Sequence, residues 1–244
     1  MAANFQLFGV THLGILLSVV LLAAGLAVVE RRLAPGGKGL RLGLAAVLAL
    51  DTVAWDGFLA WHGQLTFPAH LPVEFCDATL YVTLIALFTL RPAFLNLAYY
   101  WALAGTSMAL LTPDLWERFP SLSTVQFFVG HGLVVMAVLY LVWSRQARPR
   151  KGSVARAMLG VNAWAAFDGA FDWIFKTNYM YLRAKPGHAS LLDPLGPWPW
   201  YIVATEGVAL GLFLLLYLPF WRSATPSQLQ KQDRREGEAP ALGA

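Results

Sequence analysis

Residues 8–30 read FGVTHLGILLSVVLLAAGLAVVE, an apolar run interrupted by one imidazole, His12, and closed by Glu30. About 20 predominantly apolar residues cross a bilayer as a helix, because every backbone N–H and C=O is then paired within the segment. Similar windows recur near 41–61, 72–90, 93–112, 122–144, 154–175 and 199–221. The segments between them hold proline, glycine or charge: Glu30-Arg31-Arg32 with Pro35-Gly36-Gly37, then Phe67-Pro68, Arg91-Pro92 and Thr112-Pro113-Asp114. The first run is too long for a signal-peptide core, lacks a basic leader and has no small-residue cleavage site after it, so it reads as a retained helix. The pattern predicts an all-α polytopic membrane protein. Seven transmembrane helices form one bundle over 1–223, and a polar, Pro/Gly-punctuated tail over 224–244 reads as disordered. No internal repeat and no second domain are visible.

Composition agrees. The chain is 57% hydrophobic and 13% charged, with a mean hydropathy of +0.54, outside the usual range of soluble domains. The basic residues sit at the ends of the spans, where they reach headgroups, so the pI near 9.3 does not signal nucleic-acid binding. Fourteen of the 18 Lys and Arg fall on one side of the seven-span arrangement, in the segments around Arg31, Arg91, Arg148 and Arg234. Arg118, Lys176, Arg183 and Lys185 fall on the other. The excess of positive charge on cytoplasmic loops then predicts an external N-terminus and a cytoplasmic C-terminus, as an odd number of spans requires.

Absences narrow the chemistry. Cys76 is the single cysteine, which excludes an intrachain disulfide and argues against a cysteine metal cluster. There is no P-loop, no dinucleotide-binding glycine motif and no HExxH, and neither a cofactor nor a metal is implied. What stands out is the ionisable content of the spans, since a charged side chain at membrane depth costs several kcal/mol and needs an interior position or a partner. His12, Asp51, Asp56, Glu74, Cys76, Asp77, Thr106, Ser107, Gln126, His131, Asn162, Asp168, Asp172 and Glu206 all lie inside the apolar windows. At about 1.5 Å rise per residue, most of them converge in the outer half of the bundle. A polar half-cavity there, fed by all seven helices over an apolar cytoplasmic half, is the predicted site. Interhelical pairing is the plainer reading for Asp51, Asn162, Thr106 and Ser107.

Within HLPVEFCDATL, Pro72 suits a first helical position. It places Cys76 just past the first turn, where the helix dipole favours an anion. Glu74 and Asp77 disfavour a thiolate, so a base is required. His131 at matching depth is the best-placed imidazole, and a Cys–His pair is a common means of activating a nucleophile. The segment 176–200 holds Lys176, Asn178, Tyr179, Tyr181, Arg183, Lys185 and Trp198 to Trp200. It reads either as an aromatic belt or as a re-entrant lid whose cations meet lipid phosphate.

The strings HLPVEFCDATL, ALLTPDLWERFPSLSTVQFFVGH and NYMYLRAKPGHASLLDPLGPWPWYI resemble the YwaF-like family of bacterial integral membrane proteins, over about 215 residues from FGVTHLG to YLPF. Animal relatives of that family include a multispanning acyltransferase that remodels ether phospholipids through a membrane cysteine and a histidine. The resemblance implies that Cys76 carries the acyl group, that His131 of the FFxxH motif assists it, and that His12 matches the histidine of span 1. Glu74 stands where bacterial members often have histidine, in LPLHLCD, and becomes an alternative base.

The combined expectation is a membrane acyltransferase of the bacterial cytoplasmic membrane, acting on phospholipid and lysophospholipid through a Cys76 thioester. Cys76, His131 and Asp77 are the catalytic candidates. His12, Glu74, Asp168, Asp172, Lys176, Asn178, Tyr179, Lys185 and Glu206 are the substrate-binding ones, with His12 or Asn178 as oxyanion donor. A lipid hydrolase on the same site, or a transporter or proton relay built on the intramembrane carboxylates, is the alternative. Oligomeric state is left open.

Overall fold

Seven helices follow one another in the order the apolar windows predict, and no strand occurs among the described residues. The structure, a computed structural model, describes residues 5–33, 35–115, 117–187 and 190–221. The 224–244 tail and its basic residues lie outside that range. The helices are α1 (Val10–Leu33), α2 (Gly39–Trp61), α3 (Phe75–Thr89), α4 (Pro92–Leu111), α5 (Leu122–Trp143), α6 (Ser153–Phe175) and α7 (Trp200–Tyr217). By length and apolarity, α1, α2, α4, α5 and α7 can each cross a membrane, the last extended by a 3-10 turn to Phe220. The protein is an integral membrane protein. Two expected spans are weaker. α6 is the most polar, carrying Arg156, Asn162, Asp168 and Asp172, and α3 is only 15 residues long.

The start of α3 corrects the sequence reading. The helix begins at Phe75 rather than Pro72, because the Glu74 N–H donates to Asp77 Oδ2 at 2.9 Å and closes a capping box across the first turn. Cys76 is therefore the second helical residue. At the other end Leu90 takes a left-handed conformation (φ 52°), and Pro92 opens α4 two residues later.

α5 is the central helix. It packs against α1, α2, α3 and α4, and its lower half, Val134, Val135, Ala137, Val138 and Leu141, is buried. Gly132 admits Val19 of α1, whose Cγ2 lies 3.2 Å from where a Cβ would stand. Gly160 does the same between α6 and α4. A Cβ there would come within 2.8 Å of the Trp101 ring and 2.9 Å of Leu97. α7 lies at the side of the bundle against α6, with Phe213 and Tyr201 as its buried residues.

α4 is not a regular α-helix. Trp101–Thr106 forms a π turn between the α-helical pieces Pro92–Tyr100 and Ser107–Leu111. Such turns widen the helix by one residue and redirect the side chains on it.

The half of the bundle away from Cys76 is not purely apolar, contrary to expectation. Glu30 is buried at the end of α1, with Oε2 accepting from the Tyr140 hydroxyl at 3.0 Å. That hydroxyl in turn accepts from Gln146 Nε2 at 2.9 Å. Arg41 is buried nearby and donates to the Leu87 carbonyl. Hydropathy windows place these residues at span ends in water, whereas Glu30 on the last turns of α1 and Arg41 on the first turn of α2 are buried in the bundle.

Candidate functional site

The N-terminal end of α3 opens onto a cavity of about 220 Å³ formed by four helices. α3 contributes Cys76, Asp77 and Leu80, with Glu74 at the rim; α2 contributes Thr52, Trp55 and Asp56. α4 adds Thr106, and α5 adds Gln126, Gly130, His131 and Val134. Each set follows helical spacing: 52, 55 and 56 on α2, and 126, 130 and 134 on α5, are steps of three or four that share a face. Gly130 keeps the wall open. A Cβ there would stand 3.3 Å from Gln126 Nε2 and 3.5 Å from Asp51 Oδ2.

Cys76 and His131 thus line one space. The His131 ring lies on Phe127, centroids 4.2 Å apart, and its Nδ1 is 2.8 Å from the Phe127 carbonyl. A carbonyl can only accept, so Nδ1 carries the proton and the neutral ring keeps its lone pair on Nε2. Asp77 faces the same cavity while its Oδ2 holds the helix cap. Glu74 Oε2 accepts from the Met180 N–H at 3.4 Å, which ties the cavity rim to the segment after α6.

Other predicted residues stand elsewhere. His12 is fully buried, and both its nitrogens are used: Nδ1 accepts from the Phe8 N–H at 2.9 Å and Nε2 donates to the Leu110 carbonyl at 2.7 Å. It joins α1 to the end of α4 among Phe5, Phe8 and Phe128, outside the cavity lining. Asn178 is likewise committed, accepting from the N–H groups of Arg183 (2.9 Å) and Ala184 (3.0 Å) and donating to Ala184 O (2.9 Å). Neither lines the cavity that holds Cys76 and His131. Glu206 accepts from Asn162 Nδ2 at 3.0 Å and links α7 to α6. Convergence from all seven helices reduces to four around this cavity.

Asp168 and Asp172 are both fully buried on α6. Asp172 Oδ1 accepts from the Thr177 hydroxyl at 2.7 Å and the Tyr179 N–H at 2.9 Å. Neither oxygen of Asp168 has a hydrogen-bond partner among the described residues. The Trp164 indole beside it gives its N–H to the Val73 carbonyl at 3.3 Å and is also near enough to act on the Asp168 carboxylate.

In the segments 176–187 and 190–200, short 3-10 turns form at Tyr179–Tyr181 and Asp193–Leu195, the first of them over the Cys76 end of the bundle. Lys176 Nζ lies 5.4 Å above the Trp173 ring and Lys185 Nζ 5.4 Å above the Tyr201 ring. Lys185 also donates to Asp193 O at 3.2 Å. Met180 and Tyr181 border a second, wider basin of about 1070 Å³, shared with Phe5, Thr112, Arg118 and Leu192. The Glu74–Met180 contact joins the rim of the small cavity to the wall of that basin.

Sequence reasoning named most of the polar lining but missed Thr52 and Trp55, and assigned Thr106 to packing. The first two share the Asp56 face of α2, a signal available from spacing alone. No curated protein and no solved structure matches the chain. A comparison with known families does match, over residues 7–217, nearly the whole of the seven-helix bundle, and the chain belongs to the TMEM164 family.

Proposed function

We propose that this chain is a membrane-embedded acyltransferase of phospholipid acyl chains, with Cys76 as acyl carrier and His131 as its base. The observation that carries the reading is the shared cavity: the only thiol of the chain and an imidazole with a free Nε2 line the same 220 Å³. His131 Nε2 takes the thiol proton, and the thiolate attacks a glycerolipid ester carbonyl. The C–S bond forms as the C–O bond breaks, and the imidazolium returns the proton to the departing lysolipid oxygen. A second lysolipid hydroxyl, deprotonated by the same imidazole, attacks the thioester; the new C–O bond forms as the C–S bond breaks, and the imidazolium returns the proton to the Cys76 thiolate. With water as acceptor the same site is a hydrolase. The likeness to the YwaF-like proteins and a bacterial cytoplasmic membrane belong to this reading.

The volume fits the reacting group rather than a whole lipid. Pockets that enclose a drug-sized ligand span about 300–1,000 Å³, so the cavity takes the ester and a few carbons while the chains remain in the bilayer. Asp77 and Glu74 bound the site, and Glu74 is the substitute base if His131 is dispensable.

The test uses the full chain in vesicles of phosphatidylethanolamine and phosphatidylglycerol carrying a radiolabelled acyl chain. The expected result is label on the denatured protein that hydroxylamine releases and Cys76→Ser lacks. Unchanged acyl transfer by Cys76→Ser ends the covalent reading. The fully buried Asp168 and Asp172 carboxyls, one turn apart on α6, favour one other reading, a proton relay. In that case Asp168→Asn abolishes proton flux in vesicles while Cys76→Ser does not.

A further inference from the structure

Six helical threonine and serine side chains, and Thr112 at the end of α4, behave alike. Thr52, Thr79, Thr83, Thr89, Ser107, Thr112 and Thr205 each give their hydroxyl to the carbonyl four residues back, at 2.5–2.9 Å. That is the usual fate of a hydroxyl in a helix without water, and it leaves no proton for anything else. Thr106 is different. It is 4% exposed, it lines the Cys76–His131 cavity, and its Oγ1 has no hydrogen-bond partner among the described residues.

Thr106 is the last residue of the π turn. In an α-helix the Thr106 hydroxyl would reach the Ala102 carbonyl. Here Ala102 O accepts the Ser107 N–H five residues on, so the π turn already engages the carbonyl that the hydroxyl would otherwise take. The turn is fixed from the α3 side. A Cβ at Gly105 would meet the Phe75 ring at 3.0 Å, and that ring also packs on Trp101, centroids 5.0 Å apart. Phe75 is the residue before Cys76, so one aromatic contact sets the register between the thiol and the π turn. A buried hydroxyl without a partner costs about 1–3 kcal/mol, which a regular helix would avoid. Thr52 shows the contrast, since it lines the same cavity with its proton spent on Leu48 O at 2.9 Å.

We infer that the π turn of α4 keeps the Thr106 hydroxyl free as the hydrogen-bond donor to the substrate carbonyl oxygen. The inference rests on the acyl-transfer reading above and adds to it the group that stabilises the oxyanion. When the thiolate adds to the ester carbon, the C=O pair moves onto oxygen, and Thr106 Oγ–H donates to that oxygen without transferring its proton. The pair returns as the alkoxide leaves. A donor aimed at the developing charge in a dry site typically contributes about 10²–10³ in rate.

The experiment compares two reactions of Cys76 in the full chain. One is acylation from the labelled phospholipid vesicles; the other is labelling by a methanethiosulfonate, in which an S–S bond forms, a sulfinate leaves and no carbonyl is present. Thr106→Val should slow acylation about 10²-fold, the lower end of that range, while thiosulfonate labelling stays within about twofold. Thr106→Ser keeps the hydroxyl and should retain most of the acylation rate, and Ser107→Ala, whose hydroxyl is already committed to Leu103, should behave as the unsubstituted protein. Equal acylation by Thr106→Val and the unsubstituted protein overturns the inference alone, as does an equal loss of both reactions in Thr106→Val and Thr106→Ser. Absence of Cys76-dependent acylation in the unsubstituted protein overturns the acyl-transfer reading and this inference with it.

Discussion

The Tyr179 hydroxyl donates to the Pro68 carbonyl at 2.9 Å and accepts the Leu71 N–H at 3.0 Å, clasping the segment after α6 to the α2–α3 connection. The same residue gives its own N–H to Asp172. Tyr179→Phe leaves the Leu71 N–H and the Pro68 carbonyl without their partner. A loss of about 1–3 kcal/mol is expected, read as a lower melting temperature in detergent. An unchanged melting temperature shows that the clasp does not hold the two connections together.

His12 invites a test that separates anchoring from substrate binding. His12→Leu removes the bonds to Phe8 and Leu110 and orphans both backbone groups. The melting temperature should fall by the equivalent of about 2 kcal/mol or more, while thiosulfonate labelling of Cys76 in the folded fraction keeps its rate. Loss of substrate turnover at full stability would restore His12 to the binding site.

His131→Ala should slow labelling of Cys76 by an electrophile, since the base that generates the thiolate is gone. Addition of imidazole should recover part of the rate. If the rate is indifferent to His131 and falls in Glu74→Gln, the rim carboxylate is the base.

Packing offers an independent check on the α4–α6 contact. Gly160→Ala pushes a methyl to within 2.8 Å of Trp101, and overpacking of this kind costs about 1–3 kcal/mol. Because Trp101 opens the π turn, Cys76 acylation should drop along with the melting temperature. A neutral effect on both would mean that α4 and α6 do not meet there.

Orientation is checked by reporters at the two termini. The distribution of Lys and Arg predicts a cytoplasmic C-terminus and an external N-terminus. A C-terminal reporter that scores external reverses the leaflet from which lipid reaches the cavity.

Seven helices and their order were legible because apolar run length carries that information directly. So was the pairing of Cys76 with His131 in one space, since both lie at matching depth on adjacent helices. Depth alone could not tell which face of a helix points inward. His12 and Glu206 share that depth but are turned to Leu110 and to Asn162. The π turn was invisible, since nothing in Trp-Ala-Leu-Ala-Gly-Thr departs from an ordinary apolar helix, and the contact that accompanies it comes from Phe75, 26 positions earlier than Trp101. The buried Glu30 and Arg41 were missed for a related reason: a charge at the end of a hydropathy window is read as wet.

α3 has 15 residues, a length of about 22 Å at 1.5 Å per residue, against a hydrocarbon thickness near 30 Å. Its ends are closed by the Glu74–Asp77 cap and by Leu90, so it cannot lengthen. Ile85 and Phe88 on its flank are exposed to the surroundings, so lipid must meet this short element. Hydrophobic mismatch of that sign is relieved by local thinning of the bilayer. The glycerol–ester layer of the nearer leaflet then dips toward the end of α3 that carries Cys76. On the proposed acyl transfer, a lipid would then present its ester there without being lifted out of the membrane, and the thickness of the host bilayer would set how readily it does so.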